Sequence, residues 1–307
     1  MSNKKPDKLD SFHDPATAAL FAASKTGLFP QPKTSIFRYV GMRGDDPWSR
    51  LESTIFDNVL PLTVATSLND PFEANPVIID DVVSDDLQDF INRFAATNAG
   101  TKAGLAFMIE IPGIRGISPI QKTKIFEEKL RTYIRSFISS RNEHCYIGSF
   151  SRRISSELQW SHYADGYKGL AYHFVTTPQP DSGFRFLKSV KYSKQRPAIL
   201  VSEILEQLML PMSDQTLRWL SYEQRSFLTK STEWEYEEEE RIIKQNVKSM
   251  TFLPVELVSL VVGPRFPDES ISKLKSICSK RSRPVRIFRA RPSPTSYAVE
   301  VDWSAEI

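Results

Sequence analysis

Apolar residues recur every three or four positions in several parts of the chain, which is the spacing of an amphipathic helix. Between these parts lie short runs of β-branched and aromatic residues bounded by glycine, proline or asparagine, which is the pattern of a strand. The order of the two patterns predicts an α+β fold, with a mixed sheet core and several packed helices. We expect helices over 84–94, 122–139 and 271–277 and two more within 198–229; strands over 35–40, 60–67, 104–111, 233–244, 257–262 and 284–290; and a strand, turn, short helix and strand over 146–174.

The start of the chain differs from the rest. Residues 1–33 are polar and interrupted by prolines, which predicts a flexible N-terminal arm with one short helix. Because no break in composition follows, we expect residues 34–307 to form a single α+β domain. The chain has 307 residues, of which 40% are hydrophobic and 25% charged, so it can bury a sizeable core. This composition excludes a wholly disordered, collagen-like or coiled-coil protein.

Charge and cysteine usage narrow the class further. The net charge of +3, from 40 Lys+Arg against 37 Asp+Glu, is too small to mark a dedicated nucleic-acid-binding protein. Two cysteines and four histidines indicate a reducing compartment and no structural zinc. The first ten residues lack the apolar run of a secretory signal, and no long apolar stretch predicts a membrane span. We therefore expect a cytoplasmic protein that does not contact a membrane.

Two early segments carry groups that could bind a ligand. Arg38 and Tyr39 lie on a predicted strand, where the guanidinium could clamp a phosphate while the ring stacks on a base. The alternative is a surface arginine beside a core aromatic residue. Further along, Asn69, Asp70 and Glu73 could present oxygens to a ribose or a hard metal ion. The alternative is purely structural: Asn and Asp before a proline form a turn in which their side chains hydrogen-bond the neighbouring backbone.

The middle of the chain combines serines with aromatic residues. Ser149 and Ser151 flank Phe150 on a predicted strand, so both hydroxyls would point to one face. The aromatic residues that follow are dense enough to line a pocket, although such clusters more often belong to a core. They are Trp160, His162, Tyr163 and Tyr167.

A glutamate-rich run lies next to aromatic residues near the end of the chain. On a strand, Glu237, Glu239 and Arg241 would share one face, with alternate residues about 6–7 Å apart. A solvated acidic face is the simplest interpretation of this composition. However, Trp234 and Ile242 bracket the run, which predicts that part of it is buried. A buried carboxylate needs a partner, and Arg241 could supply it.

Six segments stand out when they are considered together. They are Phe37-Arg38-Tyr39, Ser67-Leu-Asn-Asp-Pro-Phe-Glu73, Ser149-Phe-Ser151, Trp160-Ser-His-Tyr-Ala-Asp165 with Gly169, Trp234-x-Tyr-Glu-x-Glu-x-Arg241 and Val261-Val-Gly-Pro-Arg265. In this order they resemble an uncharacterised bacterial family, known as a domain of unknown function, with FNDPFE, W-x-x-YA and W-x-YE-x-E-x-R segments. The resemblance covers about 35–270 and departs from the family pattern at Leu68 and Glu240. It identifies relatives without giving their activity.

A second resemblance suggests an activity. Arg38, the pair Ser149 and Ser151, and the pair Glu237 and Glu239 occur in the order found in ADP-ribosyltransferases of the Arg–Ser–Glu type. This resemblance implies an ADP-ribosyltransferase-like fold that consumes NAD as its substrate, with no metal. It also implies a role as a toxin or phage-defence effector.

The roles implied for these residues follow from the chemistry of NAD. Breaking the bond between nicotinamide and ribose passes through an oxocarbenium-like sugar, which a nearby carboxylate stabilises. Glu239 would hold the ribose hydroxyl and this charge, while Glu237 would orient an acceptor or water. Ser149 or Ser151 would brace Glu239, and Arg38 would hold the diphosphate. The other residues expected to contact NAD are Tyr39, Asn69, Asp70, Trp160, Tyr163 and Arg241.

Two other classes of function compete with the transferase hypothesis. A basic stretch over 273–291 could bind nucleic acid, weakly and without sequence preference, or a metal-dependent nuclease could use Asp70, Glu73, His162 and Asp165. A non-catalytic interaction module is also consistent with the sequence, if the acidic strand 233–240 pairs with the basic strand 283–291. Which groups converge in the fold decides among these. The transferase hypothesis requires the strand of Arg38 and the strand of the paired glutamates to lie close together.

Overall fold

The computed structural model describes residues 35–82, 89, 118–177, 179–209 and 222–307. The chain divides into two compact units. Of the described residues, the larger unit holds 35–69, 145–177, 179–195 and 228–307. The smaller unit holds 70–82, 89, 118–144, 196–209 and 222–227. The predicted single domain over 34–307 stays a prediction, because two compact units can belong to one domain or to two.

Helices and strands together confirm the predicted α+β class. The helices are α1 (Pro47–Asp57), α2 (Pro119–His144), α3 (Glu157–Tyr163), α4 (Val201–Met209) and α5 (Ile271–Ser279). The strands are β1 (Ser35–Val40), β2 (Val59–Pro61), β3 (Thr63–Val64), β4 (Val77–Ile79), β5 (Cys145–Ser151), β6 (Leu170–Val175), β7 (Lys188–Ser189), β8 (Lys191–Ser193), β9 (Ala198–Leu200), β10 (Thr229–Ser231), β11 (Glu239–Gln245), β12 (Ser249–Thr251), β13 (Leu257–Val262), β14 (Arg286–Pro292) and β15 (Val299–Glu306).

One mixed sheet dominates the larger unit. Among the described residues it has nine strands in the order β15-β14-β13-β6-β1-β5-β11-β7, with β3 also paired to β5. The pair β13 and β14 is parallel, and the other pairs of this sheet are antiparallel. The smaller unit contains α2, α4 and the parallel pair of β4 and β9. The large sheet therefore supplies the framework for the groups of the larger unit.

The two faces of the sheet bury different residues. On one face, alternate residues such as Ile36 and Tyr172 pack against α1, which contributes Leu51 and Ile55. This face forms the main core, together with residues of α5. On the other face, Tyr39, Ala171, Val261 and Phe288 form a second cluster. They pack against Trp160 of α3 and against Ala164, the residue that follows this helix. Arg38 shares the α1 face with Ile36, because side chains alternate along β1.

The sheet splits next to Arg38. Strand β1 pairs with β5 only at Phe37 and Ser151, and beyond this point β5 pairs with β3 instead, at Thr63 and Ile147. Arg38 bridges the split, because its Nη2 donates a 2.6 Å hydrogen bond to the carbonyl of Pro61. The split opens the sheet beside the second half of β1.

The turn between α3 and β6 is held tightly against this half of β1. Asp165, Gly166 and Tyr167 all have positive φ, at 51°, 58° and 72°. This backbone conformation is unfavourable for residues other than glycine, so it is strained at Asp165 and Tyr167. Close backbone packing fixes the turn, since a Cβ at Gly169 would lie 2.2 Å from the carbonyl oxygen of Val40. The turn therefore places Asp165 at a defined position beside β1.

Most predicted elements within the described residues are confirmed. The strands over 35–40, 257–262 and 284–290, the helices over 122–139 and 271–277, and the strand–helix–strand order over 146–174 all occur. Two strand predictions were partly wrong: 60–67 is divided between β2, β3 and a 3-10 turn, and 233–244 begins as a 3-10 turn and becomes a strand only at Glu239. The arm over 1–33, nearly all of 84–94, the strand over 104–111 and the start of the second helix within 198–229 lie outside the described residues.

Within the described part of the chain, no helix is both long and apolar enough to span a membrane.

Replacing Gly169 by alanine is expected to destabilise the protein more than replacing Gly166. At Gly166 nothing lies within 4 Å of an added Cβ. Gly166→Ala should therefore lower the free energy of unfolding only by the strain of alanine in a left-handed backbone conformation, about 1 kcal/mol. Gly169→Ala adds a clash with backbone that cannot move freely, and we expect about 3 kcal/mol. Urea denaturation of both variants measures the difference. Equal denaturation midpoints would show that the turn is free to shift away from β1.

Candidate functional site

Four charged side chains form a buried network beside β5. The ammonium Nζ of Lys230 donates to Glu237 Oε2 at 2.6 Å and to Glu239 Oε2 at 3.3 Å. Arg241 holds Glu239 from the other side, with Nε to Oε1 at 2.7 Å and Nη2 to Oε2 at 2.9 Å. All four side chains are at most 5% exposed. Two carboxylates and two cations thus neutralise each other inside the protein.

The local backbone corrects the predicted arrangement of the paired glutamates. Thr232–Glu237 forms a 3-10 turn whose N-cap Ser231 accepts a hydrogen bond from the Glu233 amide, and Glu238 then adopts a left-handed conformation with φ of 45°. Strand β11 begins only at Glu239. The prediction that Glu237 and Glu239 are strand neighbours on one face was therefore wrong. They meet because Lys230 binds both carboxylates.

The two predicted serines have different roles in this network. Ser149 lies opposite Arg241 across the strand pair and hydrogen-bonds the Glu239 carboxylate. Ser151 instead donates a 2.6 Å hydrogen bond to the backbone carbonyl of Glu237, which also accepts from Nε2 of Gln159 at 2.8 Å. Ser149 thus contacts a carboxylate, and Ser151 fixes the backbone that presents the other one.

Burial and charge act on the two carboxylates with opposite outcomes. At Glu237, burial and the charge of Glu239 raise the pKa above its usual value despite the opposing effect of Lys230. At Glu239, burial also favours the neutral form, but Arg241 and Lys230 outweigh it and hold the pKa well below its usual range. Glu239 is therefore a permanent anion of the network, whereas Glu237 is the carboxyl group that protonates more easily.

A pocket of about 740 Å³ lies at the split in the sheet. This volume is in the range of small-molecule sites. One wall comes from β1, α1 and the segment of β2 and β3, and the other comes from the end of α3 and the turn after it. The lining side chains that can form polar contacts are Arg38, Tyr39, Arg43, Arg50, Thr54, Thr63, His162, Tyr163, Asp165 and Tyr172.

Arg38 is the least exposed of the three arginines that line this pocket. Its Nη1 is buried and has no hydrogen-bond partner among the described residues. Its guanidinium contacts the carbonyl of Pro61, and its Cζ lies 5.7 Å from the centroid of the Phe150 ring. Among the described residues, no carboxylate pairs with it. Burial lowers the pKa of Arg38 to about 10, so the group is still charged at neutral pH. A partly buried guanidinium with an unpartnered donor favours an anionic ligand.

Tyr163 joins the pocket to the charge network. It lines the pocket, and its hydroxyl donates a 2.7 Å hydrogen bond to Glu237 Oε1. Asn69 Nδ2 donates to the same hydroxyl at 3.3 Å. Burial and the charge of Glu237 raise the pKa of Tyr163, so the phenol is protonated at neutral pH. Glu237 therefore lies one hydrogen bond behind the pocket wall.

The other residues expected to contact NAD have separate positions. Tyr39 lines the pocket, but its hydroxyl donates to the carbonyl of Arg153 at 2.7 Å. Trp160 is fully buried, and its ring centroid lies 5.1 Å from that of Tyr39. Trp160 is therefore a core residue. Asp70 belongs to the smaller unit, where its Oδ1 accepts from the Phe72 amide at 2.9 Å, as the turn interpretation predicts.

The nuclease hypothesis draws its residues from both units. Asp70 and Glu73 belong to the smaller unit, and His162 and Asp165 belong to the larger. Within the described ranges, no group of three or more His, Cys, Asp or Glu side chains has the geometry of a metal site.

The sheet order contradicts the charge pairing expected for an interaction module. Strand β11 lies between β5 and β7, whereas β14 lies between β13 and β15, so the acidic and basic strands are not neighbours. Several basic side chains of 273–291 also have partners within the protein. Arg286 pairs with Glu306, Arg289 pairs with Asp268, Arg281 bonds Asn58 and Lys273 lies over Trp48.

Sequence reasoning missed Lys230, Arg43 and Arg50. Lys230 lies three positions before the glutamate run, which begins at Glu233, and seven positions before Glu237. The only available signal was physical: a run of glutamates predicted to be buried needs more than one cation, and Arg241 alone could not neutralise it.

Comparison with protein families gives a match over part of the chain. Residues 159–242 match a family described as protein of unknown function, DUF2971. The matched segment is about a quarter of the chain and contains Tyr163, Lys230, Glu237, Glu239 and Arg241. No curated protein and no solved structure matches the chain. The predicted resemblance to an uncharacterised family is thus confirmed over the DUF2971 segment, and it brings no activity with it.

Lys230→Met is expected to destabilise the protein by about 3–5 kcal/mol at pH 7.5, because two buried carboxylates then lose a shared cation. The loss should shrink as the pH falls, since Glu237 already has a raised pKa and would protonate further without Lys230. Urea denaturation between pH 5 and pH 7.5 measures both effects. Lys194→Met, at an exposed lysine of the same unit, is the control. A pH-independent loss would mean that Glu237 does not take up the proton.

Proposed function

We propose that this protein binds NAD in the pocket of Arg38 and breaks the bond between nicotinamide and ribose. Such an enzyme would be a glycohydrolase or an ADP-ribosyltransferase, depending on whether water or another nucleophile accepts the sugar. Because loss of NAD harms a cell, the protein would act as a toxin or defence effector. The match to DUF2971 neither supports nor opposes this proposal.

The partly buried Arg38, whose Nη1 has no hydrogen-bond partner among the described residues, is the observation that carries the proposal. A guanidinium with an unpartnered buried Nη1 beside a 740 Å³ pocket suits one oxygen of a phosphate. Arg50 and Arg43 line the same pocket; Arg50 is exposed, and Arg43 is paired with Asp165. A diphosphate carries enough charge to engage more than one of these arginines.

The chemical step needs a negative group beside the ribose. We assign this role to Glu237 acting through Tyr163, and not to Glu239, because both oxygens of Glu239 are occupied by Arg241 and Lys230. The Tyr163 proton is directed at Glu237, so the phenol oxygen can face the positive charge that develops on the sugar. Water would then add to the anomeric carbon and release a proton, while the electron pair of the broken bond leaves with neutral nicotinamide.

Arg38→Lys is expected to weaken NAD binding at least about tenfold, because lysine retains the charge but loses the planar set of donors. Isothermal titration calorimetry of NAD against the purified variant measures the effect. Arg283→Lys changes an exposed arginine outside the pocket and should bind NAD like the wild type. If the wild type does not bind NAD, or Arg38→Lys binds it equally well, the proposal fails.

Glu237→Gln is expected to reduce nicotinamide release by about 10²–10³-fold while NAD binding changes little, because the variant loses charge and retains shape. Glu237→Gln also removes one charge from the network, but Glu239→Gln should lower stability more, since it breaks the contacts with both Arg241 and Lys230. Nicotinamide release, with and without cell extract as acceptor, is measured for both variants beside circular dichroism and urea denaturation. A folded wild type that never releases nicotinamide would refute the enzyme. A folded, fully active Glu237→Gln would refute the assignment of that residue.

A further inference from the structure

A cluster of aromatic rings stands at the edge of the pocket. The rings of His162 and Tyr163 lie 6.1 Å apart, those of His162 and Trp234 lie 6.4 Å apart, and those of Trp234 and Tyr236 lie 6.0 Å apart. The hydroxyl of Tyr236 is 3.3 Å from Nδ1 of His162. Two chain segments, α3 and the 3-10 turn before β11, thus meet through their rings.

This cluster is not part of a closed core. His162 is exposed, and Tyr163, Trp234 and Tyr236 are partly exposed. One side of Trp234 is used by Lys230, whose Nζ is 4.6 Å from the ring centroid. His162 and Tyr163 also line the pocket that contains Arg38. The cluster therefore offers accessible aromatic surface next to a site suited to an anion.

Aromatic surface beside a phosphate site matches the two halves of a nucleotide. A base stacks on aromatic rings whatever its identity, while arginines bind the phosphate. A plain phosphate or a sugar phosphate would leave the ring cluster unused. We propose that the cluster of His162, Trp234 and Tyr236 stacks the heteroaromatic ring of a nucleotide whose phosphates lie at Arg38, an inference that rests on the proposed use of this pocket.

The inference is specific about which part of the ligand each group recognises. His162 should matter for ligands that contain a ring and not for ligands that contain phosphate alone. Either end of NAD could supply the ring, as adenine or as nicotinamide. The two mononucleotides, AMP and NMN, separate these sources because each contains one ring and one phosphate.

The test compares His162→Ala with His162→Phe. Both variants lose the contact with Tyr236, but only His162→Phe retains a flat ring, so their difference measures stacking. Calorimetric titrations use pyrophosphate, ribose 5-phosphate, AMP and NMN against the full chain. We expect His162→Ala to bind AMP, NMN or both about tenfold more weakly than the wild type, with pyrophosphate unchanged and His162→Phe within about threefold.

The outcomes separate this inference from the proposed function. The stacking site is refuted if His162→Ala binds AMP and NMN as the wild type does, or if His162→Phe binds them no better than His162→Ala. In that case the binding of pyrophosphate still tests the phosphate site at Arg38. If AMP or NMN binds in a His162-dependent way and pyrophosphate does not bind at all, stacking is supported and the phosphate site is refuted. If none of the four ligands binds the wild type, both are refuted.

Discussion

Neutralisation of Glu237 and Glu239 by Lys230 and Arg241 is the constraint on which the site depends. Each ion alone would lose several kcal/mol of hydration on burial, which the fold cannot offset without a partner at close range. Each ion has such a partner: Arg241 binds Glu239 through two hydrogen bonds, and the ammonium of Lys230 binds both carboxylates. Because removing any one ion leaves another uncompensated, the four residues act as one structural unit.

The network also determines where other elements lie. Lys230 is on β10, Glu237 ends the 3-10 turn and Glu239 begins β11, so one cluster of charges joins three consecutive segments. Hydrogen bonds from Ser151 and Gln159 to the Glu237 carbonyl extend it to β5 and α3. Tyr163, at the end of α3, is thereby held between the network and the pocket. The position of one pocket wall follows from charge pairing as well as from apolar packing.

Sequence reasoning succeeded where a local pattern decides the structure. Alternation placed Arg38 on a strand, and the aromatic residues around the glutamates correctly indicated that Glu239 is buried. It failed at Glu238, whose left-handed backbone takes Glu237 off the strand, because a run of glutamates contains no glycine or asparagine to mark such a turn. The pocket was not predictable either, since it results from β5 exchanging β1 for β3 as its partner, a choice made by tertiary packing.

Two arginines of the same sheet differ in the contacts that the described residues give them: Arg241 is fully buried, and Arg38 is partly buried. Arg241 has its full set of neutralising contacts within the chain, and its guanidinium is 1% exposed. Arg38 lies two strands away, and the described residues give it a carbonyl and an aromatic ring but no carboxylate. Burial lowers the pKa of Arg38 to about 10, and its Nη1 has no hydrogen-bond partner among the described residues. An anion in the pocket would supply the counter-charge that the described residues do not give to Arg38. In the proposed function the anionic ligand therefore binds at Arg38, and not at Arg241, whose charge Glu239 already balances.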